Sequence, residues 1–291
     1  MGGLLTYSVA GHRFGIQTPD KTVTRGILSS YASFTVENST DSGHLFYFQG
    51  NRQVDIPDVP CDDVVQRDTV TYSLYHTVQG ITASMQQNGR EHRLFASPGY
   101  QEIISDVTLL SGNEAPFINS FLRLAYGVRA VHRQTIKVHA SVIELNGKAL
   151  VFLGKSGAGK STHSRLWLQH IPGCTLLNDD EPILRIFEDG AVRVYGAPWS
   201  GSTPCYRNDW AEVAAIVHLH QSPDNKLSRM TPLEGLSSLF KSTALLRSDR
   251  ENKDKVLDVV TGVVERIPVY RLACRPDHEA VLLSRSLLPK E

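Results

Sequence analysis

The chain has 291 residues, with 30 basic and 30 acidic side chains, no net charge and 41% hydrophobic residues. That length suggests about two domains. The even charge leaves no basic footprint for nucleic acid or an anionic membrane, and no apolar stretch approaches the ~20 residues of a membrane span. The four cysteines, Cys61, Cys174, Cys205 and Cys274, form no C-x-x-C pair, which argues against a zinc knuckle or a redox motif. Reduced thiols in a cytoplasmic enzyme are the simplest reading. Met1 to Thr6 fits the myristoylation pattern without a polybasic partner, and the start of the chain lacks the charged and apolar regions of a signal peptide.

Residues 1–130 read as a β-rich (α+β) N-terminal domain. Leu4 to Gln17 alternates around Ala10-Gly11, and His44 to Phe48 is a short strand. Thr69 to Thr77 and Val78 to Gln86 are further strands, and Asn88-Gly89 is a hairpin signal before Glu91 to Ala96. Polar loops near 37–43 and 55–63 separate these runs. Phe117 to Arg129 is helical, because Phe117, Phe121, Leu124, Ala125 and Val128 recur at spacings of three and four. Pro116 suits its start, and the helix connects to a second domain, 131–291.

In that domain Ile136 to Leu145 alternates as a strand, and Asn146-Gly147 turns it into the apolar run Ala149 to Leu153. A helix over Ser161 to Gln169 and a strand at Cys174 to Leu177 follow. Ile183 to Phe187 and Ala191 to Tyr195 form a hairpin across Glu188-Asp189-Gly190, and Val213 to Leu219 is another strand. Thr231 to Glu234 opens a helix to about Leu246 as a capping box. Lys253 to Arg266 is helical, Val269 to Ala273 is a strand, and Asp277 caps a final helix.

Between the apolar strand and its helix lies Gly154-Lys155-Ser156-Gly157-Ala158-Gly159-Lys160-Ser161, the full G-x-x-x-x-G-K-[ST] pattern. The glycines permit positive φ, so that backbone N–H groups of residues 154–162, Thr162 included, can cradle phosphates as a nest. Lys160 reaches the β- and γ-phosphates, the Ser161 hydroxyl ligates Mg²⁺, and the helix dipole favours the same anion. ATP or another nucleoside triphosphate with Mg²⁺ is therefore the expected cofactor.

Asp179 and Asp180 follow Lys160 by 19 and 20 residues at the end of a strand. A strand–loop–helix–strand unit brings the second strand beside the first in a parallel sheet, so the acids emerge at the edge that carries the loop. Phosphoryl transfer needs one carboxylate for the metal and one to accept a hydroxyl proton. Standing alone, the same residues would read as a solvated acidic turn.

His139-Ala140-Ser141, the loop and Asn178-Asp179-Asp180 together resemble the catalytic domain of the HPr kinase/phosphorylase family, over roughly residues 130–290. That domain shares its nucleotide-binding architecture with phosphoenolpyruvate carboxykinases. The runs Ser161 to Trp167, Tyr195 to Gly201 and Cys274 to Asp277 are similar to a bacterial subgroup of HPr-kinase-like proteins. The resemblance implies an α/β P-loop domain of the HPr kinase/PEP carboxykinase type. It gives Lys160 and Ser161 the phosphate and Mg²⁺ roles, Asp179 the role of general base, Asp180 that of Mg²⁺ ligand, and His139 a tuning position beside the pair. It also implies a homo-oligomer, because related kinases assemble through this domain.

The chain departs from the family where an Arg-Gly signature is expected, near Glu212 to Leu219, and in its N-terminal half. The expected reaction is phosphoryl transfer to a hydroxyl, for instance a serine of a protein or peptide, or of a small molecule. A carboxykinase-like reaction on a small oxo-acid and a non-catalytic nucleotide-binding module are the alternatives. The loop Pro198 to Pro204 is a candidate to approach the phosphate or the acceptor. Arg207, Lys241 and Arg275 are candidates to neutralise charge, and His218 with His220 to bind a metal. Trp167 reads as core or interface rather than as a base-stacking residue.

Overall fold

The computed structural model describes residues 2–37, 43–67, 70–201, 203–244 and 248–289. Met1, most of the 37–43 loop, Thr69, Ser202 and the expected helix end at Leu246 lie outside the described residues. The chain is a mixed α/β protein with two large sheets. It divides into two compact units, Met1–Arg133 with Leu245–Lys253, and Gln134–Ala244 with Asp254–Glu291. No helix among the described residues is long and apolar enough to cross a membrane.

The first unit holds β1 (Gly3–Val9), β2 (His12–Thr18), α1 (Lys21–Ile27), β3 (Thr35–Val36), β4 (Tyr47–Gln49), β5 (Asp63–Arg67), β6 (Val70–Thr77), β7 (Gly80–Gln87), β8 (Arg90–Ala96), β9 (Glu102–Ser105) and α2 (Ala115–Ala130). Its nine strands run in the order β3-β1-β2-β4-β9-β8-β7-β6-β5. Ala10-Gly11 and Asn88-Gly89 take positive φ at both positions (50° and 78°, 51° and 73°), the geometry of tight hairpin turns that match strand twist. Val78 lies in the β6–β7 turn rather than in a strand. Gly80 starts β7 at φ 142°, where a Cβ would stand 2.1 Å from the Ala96 carbonyl oxygen. Along α2, Phe117, Phe121, Ala125 and Val128 are buried as expected, and Leu124 is half-buried. Tyr126 donates to the Val9 carbonyl at 3.0 Å, and Arg129 donates to the carbonyls of Leu45 and Gly99.

The second unit holds β10 (Thr135–Lys137), β11 (Ala140–Leu145), β12 (Lys148–Leu153), α3 (Lys160–His170), β13 (Thr175–Asp180), β14 (Ile183–Ile186), β15 (Val192–Tyr195), β16 (Trp210–Gln221), β17 (Lys226–Arg229), α4 (Pro232–Lys241), α5 (Arg250–Arg266, part of which belongs to the first unit), β18 (Val269–Cys274) and α6 (His278–Arg285). Strands run β10-β14-β15-β16-β12-β11-β13, with β18 beside β16 and β17 beside β18. The run Ile136 to Leu145 is not one strand. It breaks at Val138–His139, opposite a break at Glu181–Pro182, yet the register carries through: Lys137 faces Ile183 and Ala140 faces Asp180. Two long antiparallel strands therefore bend together, and both ends of the strand order belong to them.

Residues 242–244, just past α4, take up the bonds freed at the break. The His139 N–H donates to the Ser242 carbonyl (2.6 Å) and the Ala244 N–H to the Lys137 carbonyl (3.2 Å). One face of the sheet packs Ile143, Leu150, Phe152, Val217 and Leu272 against Trp167 of α3 and Val281 of α6. Trp167 is fully buried there and donates to Ser284 Oγ at 2.9 Å.

The sequence places β13 beside β12, and the structure corrects this. The Asn146-Gly147 turn (φ 52° and 75°) folds β11 onto one edge of β12, and β16 takes the other, so β13 pairs with β11. Because β11 is antiparallel to both, β12 and β13 still point the same way. Gly154, Asp180 and the start of β11 therefore meet at one sheet edge.

Candidate functional site

The loop from Gly154 to Ser161 leaves β12 with φ of 151°, 78° and 97° at Gly154, Gly157 and Gly159. A Cβ on Gly154 would lie 2.9 Å from Ala158 Cβ and 3.2 Å from the Leu219 carbonyl oxygen, so that position needs glycine for space as well as for φ. Gln221 Nε2 donates to the Gly157 carbonyl at 3.0 Å and ties the loop to the end of β16. With Gly159 as its N-cap, α3 opens at Lys160 and turns its unbonded first-turn N–H groups, and its positive dipole end, toward the loop.

Lys160 is 8% exposed. Its ammonium donates to the carbonyls of Gly154 (3.0 Å) and Lys155 (3.4 Å) and stands 3.0 Å from His139 Nε2. Burial pulls its pKa below the ordinary lysine value, and the charges of Asp180 and Asp179 oppose that shift. The other imidazole nitrogen, Nδ1, lies 3.0 Å from Asp180 Oδ1. Those two contacts fit a ring that donates from Nδ1 to the carboxylate and accepts at Nε2 from the ammonium.

The acid pair is asymmetric. Asp179 is 5% exposed and accepts a 3.0 Å hydrogen bond from Ser161 Oγ. Asp180 is more open, and its φ of 134° is rare for a residue with a side chain. The strap Ala197–Gly201 holds that backbone. The Gly201 N–H and Ser200 Oγ both donate to the Asp179 carbonyl (2.8 and 3.1 Å), and Ser200 forms a β-bridge with Asp180. A Cβ on Gly201 would come within 3.2 Å of Asp180 Cβ. Asn178, fully buried, donates to the Trp199 carbonyl at 3.1 Å and accepts from the Glu181 N–H at 3.1 Å. The sequence reading places Asn178 in the Asn178-Asp179-Asp180 run but gives it no role of its own.

These groups surround one cavity of about 270 Å³, lined by His139, Ser156, Gly157, Gly159, Lys160, Ser161, Thr162, Asp179, Asp180 and Gly201. Of the expected loop residues, Gly154, Lys155 and Ala158 shape the loop without lining the cavity. Of the expected loop Pro198 to Pro204, Gly201 reaches the cavity.

No protein-family model matches the chain, and no curated protein matches it. Among solved structures it is similar to the HPr(Ser) kinase/phosphatase from Coxiella burnetii, at 12% identity and a TM-score of 0.32, over 52% of this chain and 87% of that one. A likeness at that level assigns no activity.

Other candidates serve elsewhere. Arg207 donates to Thr175 Oγ1 (2.8 Å) and the Leu176 carbonyl (3.0 Å), at the opposite end of β13. Arg275 is exposed and pairs with Asp277 and Glu279. His218 Nδ1 is bonded to Ser238 Oγ at 2.6 Å, and no cluster of three or more His, Cys, Asp or Glu is poised for a metal among the described residues.

His163, one turn into α3, has a defined consequence. It is 3% exposed, and burial lowers its pKa from 6.5 to about 4. A folded-state pKa below the unfolded value contributes stability that is complete above pH 6.5 and is lost as pH falls toward 4. Urea unfolding is expected to show a loss of about 3 kcal/mol from this ring over that range, and a correspondingly shallower decline in His163→Gln.

Proposed function

We propose that the chain transfers the γ-phosphoryl group of ATP to a hydroxyl acceptor, in an α/β P-loop domain of the HPr kinase/PEP carboxykinase type. The observation that carries this is the convergence of Lys160, Ser161, His139, Asp179 and Asp180 on the cavity at the glycine loop. Nucleotide binding alone does not call for two adjacent carboxylates and a histidine beside the lysine.

The donor set suits Mg²⁺, which takes most of its ligands from phosphate oxygens and water and few from protein. Ser161 Oγ and Asp179 Oδ1, joined by their hydrogen bond, are the residues to hold it. The ion, when bound with nucleotide, neutralises phosphate charge. This assignment exchanges the roles expected for the two aspartates, because the Ser161 hydroxyl lies on Asp179 and because Asp180 is the more open carboxylate. Asp180 accepts the acceptor's proton as the acceptor oxygen bonds to the γ-phosphorus. The bridging oxygen bond to that phosphorus breaks, and the electron pair leaves on the nucleoside diphosphate. Lys160 stabilises the charge that develops, and His139 orients Asp180 from its Nδ1.

The test is incubation of the full chain with Mg²⁺ and either [γ-³²P]ATP or [α-³²P]ATP in a lysate of the source cell. Label from the γ-position on a macromolecule or a small hydroxyl compound, with none from the α-position, is the expected result. Tight nucleotide binding without transfer would favour a binding module instead.

A further inference from the structure

Beneath the acid pair lies a buried charge that the proposed chemistry does not use. Lys137, the last residue of β10, is 5% exposed, and its ammonium stands 3.3 Å from Glu181 Oε2, with side chains 6% and 11% exposed. The same ammonium lies 5.3 Å from the centre of the Trp199 ring, a cation–π contact in a desolvated place. Both partners sit at the bend. Glu181 directly follows Asp180 and Trp199 belongs to the strap, so one side chain joins the broken ladder, the acid turn and the strap.

The strap is held from two sides. The Trp199 carbonyl accepts from Asn178 (3.1 Å), and its ring faces Lys137. Two residues further on, the Gly201 N–H fixes the Asp179 carbonyl at 2.8 Å. Asp180, between these anchors, keeps a backbone conformation that an unconstrained chain would abandon.

We propose that Lys137 is a positioning residue. By clamping Glu181 and Trp199, its ammonium fixes the strap that holds Asp179 and Asp180 in register with Ser161. Lys137 is not among the residues that line the cavity, and it acts through the geometry of the metal corner. The inference rests on the reading of Ser161 and Asp179 as that corner.

The experiment measures the affinity of the full chain for a non-hydrolysable ATP analogue with EDTA and with Mg²⁺. The wild-type ratio of the two affinities tests the nucleotide–metal reading. A wild type that binds no nucleotide, or gains nothing from Mg²⁺, overturns that reading and this inference together. Lys137→Met is expected to cut the Mg²⁺-dependent gain by about tenfold, as loss of a group supporting a metal ligand does, while affinity in EDTA stays within about twofold. Lys137→Met/Glu181→Leu removes both buried charges, so its melting temperature should recover while the Mg²⁺ gain stays low. It also supplies a folded protein if the single variant does not fold. A gain that returns with the melting temperature, or that survives in either folded variant, would overturn the proposal. So would equal losses of affinity in EDTA and in Mg²⁺.

Discussion

Exchanging Lys160 for methionine is expected to slow phosphate transfer by about 10²–10³-fold, the usual effect of removing one charge-stabilising donor. The ammonium is held in place by the Gly154 and Lys155 carbonyls and by His139. A pre-placed charge does not reorganise as phosphate charge develops, and partial burial strengthens its field. Methionine fills similar space without charge, so the fold should survive. Burial already works against the lysine's charged state. Removing that charge therefore costs function more than stability, and single-turnover transfer from [γ-³²P]ATP beside a thermal melt separates the two. Transfer near the wild-type rate in a folded variant would show that Lys160 does not serve the reaction.

Gly196→Ala is expected to be the most destabilising single substitution near the site, costing about 3 kcal/mol or more. A Cβ there would stand 2.0 Å from the Arg207 carbonyl oxygen and 3.1 Å from that of Leu177. All of these are backbone atoms of the second unit, so no rotamer change relieves the clash. Gly196 leads into the strap, and moving it pulls the Ala197 and Trp199 carbonyls away from Asn178. Urea unfolding should report the loss. The variant should also lose transfer at temperatures where it remains folded, because the acid turn depends on the strap.

What could be read in the sequence was local. Ala10-Gly11, Asn88-Gly89 and Asn146-Gly147 act as turns because two-residue hairpins demand positive φ at both positions. Thr231 and Glu234 form the expected capping box, and Asp277 caps α6. The glycine loop lies between a buried strand and a helix because each glycine answers a backbone requirement.

What could not be read depends on pairing between distant strands. The alternation of Ile136 to Leu145 runs straight through the bend at Val138–His139, because side-chain period records a face and not the continuity of a ladder. The insertion of β11 between β12 and β13 followed from the turn at Asn146-Gly147, whose reach onto β13 is a matter of register. Lys137 and Glu181 look like surface charges in a string of residues. The bend buries them as a pair, with the Lys137 ammonium over the Trp199 ring. Arg207 looked available for phosphate because its bonds to Thr175 and Leu176 span a gap of about thirty residues.

In the proposed reaction the two aspartates divide metal binding and proton transfer between them. Asp179→Asn and Asp180→Asn, compared for Mg²⁺-dependent binding of an ATP analogue and for γ-phosphoryl transfer, separate the two roles. Asp179→Asn is expected to lose the Mg²⁺-dependent gain itself. Asp180→Asn is expected to keep the Mg²⁺-dependent affinity and to lose about 10²–10⁴-fold in transfer, the contribution of a general base. An Asp180→Asn protein that transfers phosphate at close to the wild-type rate would overturn that division.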